Sequence, residues 1–191
     1  DLLIKGATVV DGTGAPAVLA DVGVKDGRIV ELGRITCAAG ERIDAAGAWL
    51  TPGFVDIHTH YDGQASWDET FSPSIHHGVT TLMMGNCGVG FAPHGPGREA
   101  DLIALMEGVE DIPGAALHEG IRWDWETFPQ YMDALEATPR SLDYLVQVPH
   151  DPLRMYVMGE RALAHEKATA QDIEAMQTLL ETATRASAPV P

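Results

Sequence analysis

The sequence lacks any apolar run close to the roughly 20 residues that a membrane-spanning helix needs, and its first residues lack the basic segment of a signal peptide. Basic residues are also scarce, since 12 Lys and Arg stand against 28 Asp and Glu and give a net charge of -16. This charge repels phosphate backbones and anionic lipid surfaces. We therefore expect a cytoplasmic protein that binds neither nucleic acid nor membranes.

Cysteine is nearly absent as well. Cys37 and Cys87 are the two thiols in 191 residues, which is too few for a disulfide framework. Each has to be interpreted individually, and a lone cysteine is most often a small buried hydrophobic residue. Hydrophobic residues make up 45% of the chain, as in ordinary globular proteins, so a sizeable core can form.

The sequence changes character at Pro52. Residues 1–52 contain short β-prone runs between Gly and Asp residues, and VKDGRIV predicts a hairpin with Asp26 and Gly27 in its turn. From residue 53 onward, apolar runs are separated by stretches long enough for a helix, as in the βα units of a parallel sheet. We predict a β unit over residues 1–52 and an α/β unit over 53–191. The second is too short for a complete (β/α) barrel, which takes about 250 residues.

Three strands and three helices can be placed in the second segment. The predicted strands are GFVDIH, TTLMMG and YLVQV, at residues 53–58, 80–85 and 144–148. The predicted helices are FSPSIHHG, DWETFPQYMDALEA and TAQDIEAMQTLLETATR, from their capping residues and apolar faces. The ending ASAPVP is predicted to be a flexible tail.

Two histidines close the first of these strands. His58 and His60 point to the same side of a strand, with Cα atoms about 6.5 Å apart. In α/β folds the carboxyl ends of the strands carry the functional sites. Spacing alone leaves two interpretations open, a pair of metal ligands or two ordinary polar residues at a strand exit.

A cysteine follows the second strand. Neighbouring strands lie about 4.8 Å apart, so if these two are neighbours, Cys87 lies at the same edge of the sheet as His60. A thiolate there can join the imidazoles around zinc, which binds nitrogen and sulfur ligands. The surrounding glycines match neither common nucleotide-binding fingerprint, so a tight turn explains them better than a phosphate cradle.

Other polar residues carry weaker signals. The acidic cluster Glu107, Glu110 and Asp111 is predicted to be a solvated loop face. His150 and Arg154 follow the third strand and are the predicted substrate-binding residues, because an arginine there suits a substrate carboxylate. Structural hydrogen bonding is the commoner role for both. No G-x-S-x-G segment supports a serine nucleophile.

The run PGFVDIHTHYDGQ, followed by GVTTLMMGNCGVGFAP and LMEGVEDIPG, resembles the amidohydrolase superfamily and, within it, the N-acyl-D-amino-acid deacylase (D-aminoacylase) branch. The resemblance implies a β-sandwich segment followed by the first part of a (β/α)8 TIM barrel, incomplete in this chain. It also implies that His58 and His60 are metal ligands. Cys87 matches the cysteine that, in this branch, replaces the carboxylated lysine or glutamate of other branches.

The resemblance further implies one or two zinc ions and hydrolysis of a linear amide by metal-activated water. The substrate would be a small N-acyl amino acid or a related amide. The general base would be an aspartate beyond residue 191, where further histidine ligands are also expected. We therefore expect the 191-residue chain alone to be inactive.

Two alternatives remain open. A cyclic-amide hydrolase, such as a hydantoinase or dihydroorotase, is the first, although those enzymes usually place a lysine between the metals. A non-catalytic fragment that binds no metal is the second. In either case a partial barrel leaves an open strand edge, from which we expect aggregation or a homo-oligomer.

Overall fold

The amino-terminal segment forms a five-stranded sheet in the computed structural model, which describes residues 1–186. The strands are β1 (Leu2–Val9), β2 (Val18–Lys25), β3 (Arg28–Gly33), β4 (Glu41–Asp44) and β5 (Trp49–Leu50). β2 pairs antiparallel with both β1 and β3, whereas β4 and β5 pair parallel with β1. The chain divides into two compact units, Asp1–Gly53 and the segment from Phe54 onward.

The predicted hairpin is confirmed. β2 and β3 are joined by Asp26 and Gly27, whose φ angles are 49° and 71°. Two consecutive residues with positive φ are what a tight two-residue hairpin turn requires, and the Asp-Gly pair supplies them at low cost. Ala7, Val9 and Val22 form the small core of this unit.

Asp21 is the most strongly bound acid of the first unit. Its carboxylate accepts hydrogen bonds from Lys5 Nζ at 2.5 Å and from the backbone N–H groups of Gly6 and Ile35 at 2.9 and 3.0 Å. The hydrogen bond from Lys5, followed by the two backbone bonds, lowers the pKa of Asp21 from 3.8 to about 2. This carboxylate therefore stabilises the unit above pH 3.8, and the contribution is lost as the pH falls towards 2.

We expect Asp21→Asn to remove this acid sensitivity. The free energy of unfolding, measured by urea denaturation at several pH values, should fall more steeply below pH 4 in the wild type than in the variant. Asp44→Asn is a suitable control, because Asp44 is exposed and accepts a backbone hydrogen bond from its near neighbour Ala46. If the wild type and Asp21→Asn lost stability equally below pH 4, Asp21 would not be the source of the acid sensitivity.

The second unit contains a parallel sheet of three strands. These are β6 (Phe54–Asp56), β7 (Val79–Met84) and β8 (Asp143–Val146), in the order β6-β7-β8. The three predicted strands are thus confirmed, and the first two are neighbours. Leu82 and Met84 of the central strand are fully buried. Phe54 and Val55 on the edge strand β6 are 60% and 59% exposed. Because an edge strand with exposed apolar residues can pair with another chain, we still expect self-association.

Six helices accompany the sheet within residues 1–186. They are α1 (Glu99–Glu110), α2 (Gly114–Gly120), α3 (Phe128–Glu136), α4 (His150–Met158), α5 (Glu160–Leu163) and α6 (Ala170–Ala186), with short 3-10 helices at Gln64–Ser66, Ser74–His77 and Asn86–Gly88. No helix in this part of the chain is long and apolar enough to cross a membrane. Residue 186 of the predicted tail belongs to α6, and residues 187–191 lie outside the described part.

The three predicted helices are present. The first is a single 3-10 turn, which ends where Gly78 adopts a φ of 79°. α3 starts with a reciprocal capping box between Thr127 and Gln130. α6 starts after Thr169, whose hydroxyl accepts a hydrogen bond from the backbone N–H of Asp172 at 3.2 Å. In each case a local hydrogen bond or a glycine conformation fixes the helix end.

The prediction that Glu107, Glu110 and Asp111 form a solvated loop face was wrong. Glu107 and Glu110 belong to α1, and Asp111 caps its carboxyl end with a φ of 55°. The helix forms because Leu102, Ile103 and Met106, spaced as one helical stripe, are buried in the core. Glu107 is exposed, whereas Glu110 is partly buried.

Candidate metal centre

The carboxyl ends of β6 and β7 bring His58, His60 and Cys87 together. One potential ligand atom from each residue lies within 4.8 Å of the other two. Nε2 of His58 is 3.3 Å from Sγ of Cys87, and the centroids of the two imidazole rings are 5.4 Å apart. A tetrahedral zinc ion with bonds of about 2.0–2.3 Å holds neighbouring ligand atoms about 3.3–3.8 Å apart. The donor atoms are those that zinc binds, and the separation of His58 from Cys87 fits two ligands of one ion.

Thr59 and Asn86 fasten the two strand ends to each other. Thr59 lies between the histidines, and its N–H and hydroxyl both donate to the carbonyl of Met83, at 3.0 and 2.7 Å. The buried Asn86 amide donates to the carbonyls of Thr59 and Met83 at 3.2 and 3.0 Å. Its oxygen accepts from Gln147 Nε2 at 2.7 Å. These bonds fix the positions of the two histidines relative to Asn86–Gly88, the turn that contains Cys87 and is called the cysteine turn below.

The cysteine turn has an uncommon backbone conformation. Cys87 has φ 54° and ψ 12°, in the left-handed region that residues other than glycine rarely adopt. Gly85 and Gly88 on either side have φ angles of 82° and 78°. A non-glycine residue in this region costs on the order of 1–3 kcal/mol, and such strain is concentrated at functional sites.

The surroundings favour the uncharged forms of His60 and Cys87. Partial burial lowers the pKa of His60. The negative charge of Glu110 raises this pKa and the nearby His58 lowers it, and the burial effect is the largest of the three. The pKa of Cys87 is raised by loss of surrounding water, then by the negative charge of Glu110 and a hydrogen bond to it. A neutral imidazole binds metals directly, whereas the thiol must lose its proton when a metal binds.

Glu110 is the residue of this region that sequence reasoning missed. Its Oε1 is 3.3 Å from Nε2 of His60. Glu110 comes four residues after Met106 and seven after Ile103, and this spacing places it on the buried face of α1. A charged residue on an apolar helical face needs a partner, and this position could have been found once α1 was recognised.

Asp62, two residues after His60, is 2% exposed. Burial raises its pKa to about 7, and its Oδ2 has no hydrogen-bond partner within the described residues. The hydroxyl of Tyr131 donates to the backbone carbonyl of Asp62 at 2.7 Å. α3 is thereby attached to the chain just after His60.

The two predicted substrate-binding residues lie in α4, in different surroundings. His150, at the start of α4, is exposed, and a side-chain atom added at Gly88 would come within 3.8 Å of its Cβ. His150 therefore adjoins the cysteine turn. Arg154 donates to the backbone carbonyl of Glu166 and lines a cavity together with Leu105. A substrate role for either residue stays a prediction.

Comparison with known proteins agrees with the resemblance seen in the motifs. The chain belongs to the amidohydrolase family, whose sequence profile matches residues 41–188. A D-aminoacylase from Alcaligenes xylosoxydans xylosoxydans is 38% identical over 184 residues, which is 96% of this chain and 35% of that protein. The chain thus spans about a third of the length of this relative.

Two solved structures are similar over 97% of this chain and 36% of their own. One is a D-aminoacylase described as having a binuclear metal centre, with a TM-score of 0.81 and 37% identity. The other is an N-acyl-D-glutamate deacylase from Bordetella bronchiseptica in complex with zinc and a phosphonate inhibitor, with a TM-score of 0.74 and 33% identity. The predicted fold class, an incomplete α/β amidohydrolase fold, is confirmed.

Proposed function

We propose that the whole protein is a zinc-dependent amidohydrolase that removes the acyl group from N-acyl-D-amino acids. The observation that carries the proposal is the convergence of His58, His60 and Cys87 within 4.8 Å at two adjacent strand ends. Membership of the amidohydrolase family supports it, as do relatives named for deacylation. We propose that the whole protein binds one or two zinc ions.

In this proposal the three side chains hold zinc, which when bound acts as a Lewis acid on the acyl carbonyl and makes water a better nucleophile. The imidazoles of His58 and His60 bind as neutral ligands. Cys87 gives up its thiol proton and contributes a negative charge. Thr59 and Asn86 keep the ligands in place through their bonds to the carbonyl of Met83.

His150 and Arg154 are proposed to contact substrate, with different support. His150 adjoins the cysteine turn and its imidazole is exposed, so a substrate bound at the zinc ligands can reach it. Arg154 would first have to release the carbonyl of Glu166. The general base is proposed to be an aspartate that follows residue 191.

The test is a substrate panel with metal removal. We expect the whole protein to hydrolyse N-acetyl-D-amino acids faster than their L-enantiomers, to lose this activity with a chelator and to regain it with zinc. The 191-residue chain should be inactive in the same assay. Undiminished activity after zinc removal would contradict the proposal. Faster opening of hydantoin or dihydroorotate rings would favour the cyclic-amide alternative.

A further inference from the structure

Hydrogen bonds fix the backbone on both sides of His60. Thr59, one residue before it, bonds to the carbonyl of Met83 through its N–H and its hydroxyl. Two residues after His60, the carbonyl of Asp62 accepts a hydrogen bond of 2.7 Å from the hydroxyl of Tyr131. Tyr131 belongs to α3 and lies 69 positions further along the chain. The position of His60 therefore depends on a helix that is distant from it in the sequence.

The ring of Tyr131 is packed firmly in the core. It is 2% exposed, and its centroid lies 4.9 Å from that of Trp125 and 6.3 Å from that of Phe128. Trp125 donates its indole N–H to the carbonyl of Phe91 at 2.8 Å, and the capping box at Thr127 fixes the start of α3. Because close packing leaves such a ring little freedom, its hydroxyl is a fixed support for the chain that it bonds.

The hydroxyl distinguishes Tyr131 from a phenylalanine in the same core. A buried hydroxyl costs free energy unless it is hydrogen-bonded, and packing alone does not need it. Within residues 1–186, the bond between this hydroxyl and the carbonyl of Asp62 is the one described hydrogen bond of both groups. The acceptor is the backbone of Asp62 and not its carboxylate. The bond therefore fixes the path of the chain rather than the orientation of a side chain.

We propose that Tyr131 is a positioning residue for the candidate metal centre, because its hydroxyl fixes the backbone that follows His60 and thereby the place of the imidazole. This role rests on the zinc site of the proposed function and adds a residue that is not itself a ligand. Zinc–ligand distances vary by only about 0.2 Å. A chain that is already held in place loses less conformational freedom when the ion binds, so zinc binds more tightly.

Zinc affinity of the 191-residue chain, measured by competition with a chromophoric chelator, is the first test. Tyr131→Phe keeps the ring and removes only the hydroxyl. We expect this variant to bind zinc at least about 10-fold more weakly, as is typical when a group that supports a metal ligand is lost. Tyr156→Phe is the matched control, because it removes a hydroxyl on α4 that is bonded to Glu126 at 2.7 Å. Its zinc affinity should stay within about 2-fold of the wild type.

Phe128→Leu separates positioning from general stability. Phe128 is buried in the same helix, so leucine removes packing from α3 and leaves the hydroxyl of Tyr131 in the protein. Urea denaturation without metal gives the free energy of unfolding of each variant and shows that each is folded. At a comparable loss of stability, zinc affinity should fall in Tyr131→Phe and stay within about 2-fold of the wild type in Phe128→Leu.

NMR of the zinc-free chain reports the surroundings of His60 without any metal. At one fixed pH, the imidazole signals of His60 should shift or broaden in Tyr131→Phe and remain unchanged in Tyr156→Phe. The exposed His77 is the internal reference, and its signals should be the same in the wild type and both variants. If Tyr131 only filled the core, the signals of His60 would not change.

Wild-type zinc affinity in Tyr131→Phe would overturn the inference. An equal loss of affinity in Phe128→Leu at the same stability would also overturn it, as would unchanged His60 signals in Tyr131→Phe. If the wild-type chain bound no zinc but the His60 signals changed in Tyr131→Phe, the zinc site of the proposed function would be wrong, whereas the positioning of His60 by Tyr131 would stand.

Discussion

Replacing Cys87 by serine is expected to lower the zinc affinity of the chain at least about 100-fold, more than the loss of a residue that only supports a ligand. Cys87 supplies the thiolate, and its Sγ lies 3.3 Å from Nε2 of His58. A serine hydroxyl does not ionise near neutral pH and cannot replace it. Competition with a chromophoric chelator measures the loss.

Cys37→Ser is the matched control for this substitution. Cys37 is the other free thiol, and it belongs to the first unit rather than to the ligand cluster. Its removal should leave the zinc affinity unchanged. In the whole protein, Cys87→Ser should also abolish most of the proposed deacylase activity. Equal zinc affinity in the two variants, or unchanged activity without Cys87, would exclude Cys87 as a ligand.

Gly85→Ala should destabilise the second unit by about 3 kcal/mol or more, as the sum of backbone strain and a steric clash. Gly85 has a φ of 82°, and a Cβ at this position would lie 2.2 Å from the backbone oxygen of Gln147. Gln147 donates its N–H to Met84 at the end of β7, so this backbone cannot move without breaking the strand pairing. Urea denaturation measures the change.

Gly108→Ala is the control for Gly85→Ala. Gly108 lies inside α1, and apart from the adjacent chain and helix backbone no heavy atom is within 4 Å of the place where its Cβ would be. Alanine in an exposed helical position is expected to stabilise the protein by about 0.5–1 kcal/mol. If Gly85→Ala were as stable as the wild type, the turn that carries Cys87 would have a different backbone from the one described.

Local signals predicted the parts of this fold that local physics determines. The Asp26–Gly27 turn, the cap at Thr169 and the glycine at position 78 each fix the direction of the chain through local hydrogen bonds or backbone preferences. The apolar runs identified the three parallel strands because each is bounded by polar or glycine residues. The proximity of His58 and Cys87 could be predicted because the two residues follow neighbouring parallel strands, whose carboxyl ends lie at the same edge of the sheet.

Features that depend on distant contacts were not predicted. α1 was missed because its acidic residues and Gly108 resemble a loop, and only its packing through Leu102 and Met106 shows that it is a helix. Glu110 reaches His60 across 50 positions of sequence, which no local pattern encodes. The same holds for Asn86, whose amide joins the carbonyl of Thr59 to the end of β7.

The metal content and cobalt(II) spectrum of the purified 191-residue chain test the zinc site most directly. We expect one zinc ion per chain, held by His58, His60 and Cys87. Cobalt(II) in its place should give a sulfur-to-metal charge-transfer band, which is lost in Cys87→Ser and retained in Cys37→Ser. A chain that binds no stoichiometric zinc, or a cobalt(II) complex without that band, would contradict this expectation.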